Sequence, residues 1–219
     1  MRKIRVAPSI LSADFAAMGE AVERLERAGA DLIHCDVMDG SFVPMITFGS
    51  YMVEALRPHT RLPLDVHLMT VTPWEKAEAF ARAGADIVTV HAEACGERLK
   101  ETLRLVRSLG VKCGVSVSPH TPVESVLPLA EEFDMLLVMS VVPGKGGQKL
   151  IESTLGKAEL AREFFEKHGL SPDIEMDGGV TEENAARVRG AGVNVIVAGS
   201  TVCGAADMAG TIARLRGEN

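Results

Sequence analysis

Short β-rich runs alternate with longer amphipathic segments along the whole chain: IRVAPSI, DLIHCDVM, LPLDVHLM, DIVTVHA, VKCGVSVS, DMLLVMSV, DIEMD and VNVIVAG. Strand candidates separated in this way by helical stretches call for a parallel sheet, because a parallel connection needs a crossover long enough to hold a helix. The echo AGADLIHCD, AGADIVTVH, AGVNVIVAG repeats one unit, with Ala-Gly where a helix C-terminus turns into the next strand. Eight such units in 219 residues predict an α/β fold, a closed (β/α)₈ barrel forming one domain over 1–219. A doubly wound open sheet is the rival, but no G-x-G-x-x-G follows the first run.

Polar residues stand where nearly every run ends: Ser9, His34 with Asp36, His67, His91, Ser118, Ser140, Asp177, and Gly199 with Ser200. In a barrel those ends form the active rim. Two interleaved strings carry the strongest chemistry, H-x-D-x-M at His34, Asp36 and Met38, and D-x-H-x-M at Asp65, His67 and Met69. Side chains at i, i+2 and i+4 of a strand share one face, so each string aims its ionisable groups and its methionine the same way. With Asp177 from IEMDGGV, the residues His34, Asp36, His67 and Asp177 form a two-imidazole, two-carboxylate set suited to one divalent metal ion, Zn²⁺, Fe²⁺, Mn²⁺ or Co²⁺. Asp65 and Glu175 lie two residues before His67 and Asp177 on the same faces. They are either acceptors that orient the ligands or members of a structural polar network.

Gly178-Gly179 and Gly199-Ser200 follow the seventh and eighth runs, where they either offer bare amides ahead of a helix to a phosphate or mark ordinary tight turns. The segment SVVPGKGGQ, with Gly144, Gly146 and Gly147, has the composition of a mobile lid, and Lys145 at its centre either reaches a phosphate or stays solvated. Met38, Met69 and Met139 either cover a planar reacting carbon or pack the core. His91 reads as rim packing or a minor contact, because the i+2 position on its own face holds no strand carboxylate and Glu93 begins the loop. His59, His120, His168 and Trp74 receive no role.

The balance of 23 basic against 30 acidic side chains, net −7, lacks a basic stripe and argues against nucleic acid. No run of about 18 apolar residues is present, and MRKIRVAPSILSADF turns polar too soon for a signal core, so a cytoplasmic protein without a membrane partner is expected. Cys35, Cys95, Cys113 and Cys203 lack C-x-x-C spacing and are expected as free thiols.

The strings APSILSADF, HCDVMDGSFVP, LDVHLM, PGKGGQ, EMDGGV and VAGS resemble the ribulose-phosphate 3-epimerase family over nearly the whole chain. That resemblance implies a TIM barrel of the ribulose-phosphate-binding type. It also implies a homo-oligomeric, metal-dependent epimerase acting at C3 of a phosphorylated ketose, with D-ribulose 5-phosphate foremost. By the same resemblance the metal ligands are His34, Asp36, His67 and Asp177, with Asp36 and Asp177 as the acid/base pair. The substrate positions are Ser9, His67, Asp177, the methionines Met38, Met69 and Met139, the lid residues Gly144, Lys145, Gly146 and Gly147, and the cradle Gly178, Gly179, Gly199 and Ser200. The chain departs from the family pattern at Met45-Ile46, at Val142 and Lys145 of the lid, and at Ser118. These departures imply altered sugar preference or slower turnover. A 3-epimerase of another ketose phosphate, such as D-allulose 6-phosphate, and a non-catalytic phosphosugar-binding barrel are the competing expectations. A decarboxylase of the related barrels is disfavoured, since no lysine follows Asp36 in a D-x-K-x-x-D pattern.

Overall fold

The computed structural model describes residues 2–218. Its eight strands are β1 (Arg5–Ala7), β2 (Ile33–Met38), β3 (Leu64–Met69), β4 (Ile87–His91), β5 (Lys112–Val117), β6 (Met135–Met139), β7 (Asp173–Asp177) and β8 (Val195–Val197). All paired neighbours run parallel, in the order β1-β8-β7-β6-β5-β4-β3-β2. Outside lie α1 (Met18–Arg27), α2 (Ser50–Leu56), α3 (Pro73–Arg82), α4 (Ala92–Cys95), α5 (Leu99–Ser108), α6 (Leu155–Lys167), α7 (Ala185–Gly190), α8 (Gly199–Cys203) and α9 (Met208–Arg216). The expected (β/α)₈ barrel is therefore observed.

Alternation along the strands sorts the side chains into two layers. Val6, Ile33, Cys35, Val37, Val66 and Ile196 belong to the large cluster between sheet and helices, where Val22, Leu25, Phe80, Leu103, Phe165 and Leu215 meet them. Burying each such side chain contributes about 1.5–3 kcal/mol. The intervening residues point into the barrel. There Ala7, Leu32, Ile87, Met135, Val195 and Val197 form a separate apolar cluster, and His34, Asp65, His67, His91 and Glu175 are wholly buried. The inside of the barrel is thus partly polar, and the polar part underlies the rim.

Two places depart from the expected regularity. β5 is followed by two single-turn 3₁₀ helices, Val123–Ser125 and Leu127–Leu129, rather than by an α-helix. Pro119, Pro122 and Pro128 account for this, since each removes an N–H and clashes with a preceding helical turn. Lys157 of α6 braces the gap: its Nζ donates to the carbonyl oxygens of Ser118 (2.8 Å), Pro119 (2.8 Å) and Thr121 (2.6 Å). The second departure is at the closure. β1 is shorter than IRVAPSI suggests, because Pro8 offers no N–H and Ser9 caps a 3₁₀ turn over Ile10–Ser12. It meets β2 through a single bridge between Ser9 and His34, with the His34 N–H donating to Pro8 O (3.1 Å) and the Asp31 N–H to Val6 O (2.9 Å). Arg216 of α9 spans the same junction, donating to Asp31 Oδ2 from Nη2 (2.7 Å) and Nε (3.0 Å).

Candidate active site

Strand register places His34 opposite Asp65, Asp36 opposite His67 and Met38 opposite Met69, while Met139 faces Asp177 across β6 and β7. One donor atom from each of His34, Asp36, His67 and Asp177 lies within 4.8 Å of the other three. His34 Nε2 is 3.4 Å and His67 Nδ1 3.3 Å from Asp36 Oδ1. His34 Nε2 is wholly buried yet has no hydrogen-bond partner. A buried nitrogen left so is costly unless something binds it. Two imidazoles and two carboxylates converging on that nitrogen fit a metal cation, so the cluster could hold one.

The surroundings drive the two carboxyls apart. Burial pushes Asp177 up to about 7, helped by the neighbouring Asp36 charge. Asp36 is also buried, but His34 and His67 outweigh that and hold it well below the usual carboxylate range. The Ser9 hydroxyl donates to Asp36 Oδ2 as well. Burial takes His67 down to about 4, whereas His34 rises despite its burial because Asp36 and Asp65 face it. Its Nδ1 lies 2.7 Å from Asp65 Oδ2 and 3.6 Å from Glu175 Oε1. Glu175 is forced well above the ordinary range by burial and then by Asp65. Asp65 therefore orients His34 on the adjacent strand, not His67 on its own, because register puts it opposite His34.

His91 corrects the sequence reading. It is wholly buried, with Nε2 2.9 Å from His67 Nε2 and Nδ1 3.0 Å from Glu93 Oε2. Strand spacing hides this, because the chain turns into α4 at Ala92 and carries the Glu93 carboxylate back over the strand end. The signal available was the H-x-E pair itself. Glu93 is held down at about 2: burial opposes this, but hydrogen bonds from His91, the Thr121 hydroxyl and the Ser118 amide prevail.

Above the cluster opens a cleft of about 510 Å³. Ser9, Asp36, Met38, Met69, Met139, Asp177, Gly144, Lys145, Gly146, Gly147, Gly178, Gly179, Gly199 and Ser200 all line it. His34 and His67 lie beneath its surface, fully buried. Gly178 (φ 121°) and Gly179 (φ 65°) are left-handed, and a Cβ on Gly179 would come within 2.7 Å of Gln148 O, so the β7 turn and the lid root pack as bare backbone. They precede α7 by several residues rather than leading straight into it, whereas Gly199 and Ser200 are the first residues of α8. Within the lid, Gln148 Nε2 donates to Val142 O (2.8 Å) and Lys145 O (2.7 Å), a tie the sequence did not reveal. Among the described residues no helix is long and apolar enough to cross a membrane.

The model of the ribulose-phosphate 3 epimerase family matches residues 5–203. This chain belongs to that family. Ribulose-phosphate 3-epimerase of Bacillus subtilis is 53% identical over 215 residues, covering 98% of this chain and 99% of its own. The chloroplastic ribulose-5-phosphate-3-epimerase of Arabidopsis thaliana is 51% identical over 210 residues, covering 95% and 75%. A mutant tryptophan synthase alpha-subunit from Pyrococcus furiosus superposes with TM-score 0.72 at 14% identity, covering 99% and 100%, a likeness of fold alone. Membership of the family makes the chain an epimerase, an isomerase acting on a carbohydrate.

Proposed function

We propose that this chain interconverts D-ribulose 5-phosphate and D-xylulose 5-phosphate by inverting C3. The observation that carries the reading is the meeting, in one cleft, of two carboxylates seated on a His/Asp cluster and bare-backbone turns after β7 and β8. Inverting a carbon beside a carbonyl requires a proton to leave one face and another to return to the opposite face, and Asp36 and Asp177 are the groups for the two faces. Ser9 holds Asp36 in place through its hydroxyl. A divalent cation held by His34, Asp36, His67 and Asp177, whether Zn²⁺, Fe²⁺, Mn²⁺ or Co²⁺, would polarise the C2 carbonyl and offset charge as C3 loses its proton. Gly146, Gly147, Gly178, Gly179, Gly199 and Ser200 receive the phosphate through backbone N–H groups, with Lys145 of the lid adding a charge. Met38, Met69 and Met139 keep water from the reacting carbon.

Net charge −7 supports a sugar phosphate rather than nucleic acid as partner. The same reading makes the chain a single-domain, cytoplasmic homo-oligomer, and sedimentation of the purified protein reads out the assembly. The deciding experiment is proton NMR in D₂O of Zn²⁺- or Fe²⁺-loaded protein with D-ribulose 5-phosphate. Loss of the C3 proton signal together with formation of D-xylulose 5-phosphate is expected. Neither event with this pentose, but loss of the C3 proton and formation of the C3 epimer with D-allulose 6-phosphate, would move the assignment to the hexose. An Asp177→Asn variant that keeps full epimerisation with metal bound would overturn the two-carboxylate assignment.

A further inference from the structure

We propose that His91 and Glu93 are positioning residues that hold His67 as its Nε2–H tautomer, and so keep the Nδ1 lone pair turned toward the cation cluster. The inference rests on the cation reading of that cluster. The donors and acceptors along this row of side chains fix the tautomer. His67 Nδ1 faces Asp36 Oδ1 at 3.3 Å, on the cluster side, and its Nε2 faces His91 Nε2 at 2.9 Å. Two imidazole nitrogens that close must be one N–H and one lone pair. The direction is set at the far end. Glu93 Oε1 accepts from the Ser118 N–H (2.7 Å) and the Thr121 hydroxyl, and these bonds help hold its acid down at about 2, so at neutral pH the group beside His91 is a carboxylate. Its Oε2, 3.0 Å from His91 Nδ1, then takes an N–H from that nitrogen. A neutral His91 with its proton on Nδ1 offers a lone pair at Nε2, and His67 must place its proton on Nε2. The reverse order would set an unprotonated His91 Nδ1 against a carboxylate, for the sake of a longer contact between His67 and Asp36.

The relay is also fixed in space. His91 lies between the rings of Phe42 (centroids 4.7 Å apart) and His67 (5.0 Å), and the strand end that holds Ser118 and Thr121 is anchored by Lys157. His67 thus takes its orientation from the loop after β5. Outer partners of this kind change metal affinity about 10–100-fold when removed.

The test uses the full chain labelled with ¹⁵N-histidine, ion-free and Zn²⁺-loaded, read by long-range ¹H–¹⁵N correlation at neutral pH and by chelator competition for Zn²⁺. In the ion-free protein His67 is expected to show its proton on Nε2. Glu93→Gln can present an amide N–H to His91 Nδ1 and reverse the relay. It should move the His67 proton to Nδ1 and weaken Zn²⁺ binding about 10–100-fold. His91→Gln, whose carbonyl can still accept from His67 Nε2, should retain most of the affinity that His91→Leu loses. Should His91→Leu fail to fold, Glu93→Gln decides. A proton on His67 Nδ1 in the ion-free wild type, or unchanged tautomer and affinity in Glu93→Gln, overturns the proposal. A wild type that shows the Nε2–H tautomer but binds no Zn²⁺ upholds the relay and overturns the cation reading instead.

Discussion

His34 and His67 stand on neighbouring strands and face the same cluster, yet they are held from opposite directions. His34 is fixed from below by Asp65, with Glu175 beside it, both without solvent exposure. His67 is fixed from the side by His91 and by Glu93, whose side chain is 26% exposed at the rim. Support from inside belongs to the barrel and is inseparable from folding. Support from the rim depends on loops, so it can change with little cost to the fold.

The largest break in that contrast should come from Asp65→Ala. Removing one member of a buried charged pair costs about 3–5 kcal/mol. In a chain of this size that lowers the thermal midpoint by roughly 10 °C. Glu93→Ala should cost under about 1 kcal/mol, as partly exposed pairs do, while still weakening Zn²⁺ binding about tenfold. If calorimetry found the two variants equally destabilised, the distinction between inner and outer support would be lost.

Titration sharpens the contrast, because the two acids shift in opposite senses. Glu93 is depressed from 4.5 to about 2, so its contribution is present above pH about 4.5 and disappears as pH falls through about 2. The stability gap between wild type and Glu93→Gln should therefore close in acid. Asp177 is raised from 3.8 to about 7, so the ion-free protein loses stability as pH climbs through that interval. Asp177→Asn should be the more stable protein, by a margin that widens up to pH about 7 and then levels. Denaturant melts of ion-free protein at a series of pH values measure both, and a gap that moved the other way would refute the assigned cause.

The smallest effect belongs to the lid. Lys145→Phe removes one exposed charge, worth at most about 1 kcal/mol, and should raise KM for the sugar phosphate up to about fivefold with kcat nearly unchanged. A kcat effect of the same size would make Lys145 part of the chemistry rather than of phosphate capture.

Most of the barrel was legible because period-2 alternation and β-branched runs mark strands however they pair, and because polar residues at matching strand ends can share a rim only where the strands run parallel. His34, Asp36 and His67 were found by that phase. The helix missing after β5 was written in Pro119, Pro122 and Pro128, but β-α repetition argued more loudly than three prolines. His91 was missed for a different reason: counting i+2 along a strand presumes the strand continues, and at Ala92 it becomes a helix. The pairing of Asp65 with His34 was out of reach in principle, since register between strands is a property of the closed sheet and not of either segment.

The closure at β1 and β2 bears on mechanics as well as geometry. Seven strand junctions carry ladders, while this one is a seam stitched by the Ser9–His34 bridge and clasped from outside by Arg216 on Asp31. A cylinder under strain parts where it is least sewn, so amide hydrogens at Asp31 and His34 should exchange with solvent sooner than those in the middle of β4 to β6. Because His34 is both a stitch and a member of the His/Asp cluster, an ion gripping its ring would act as a rivet across this one seam.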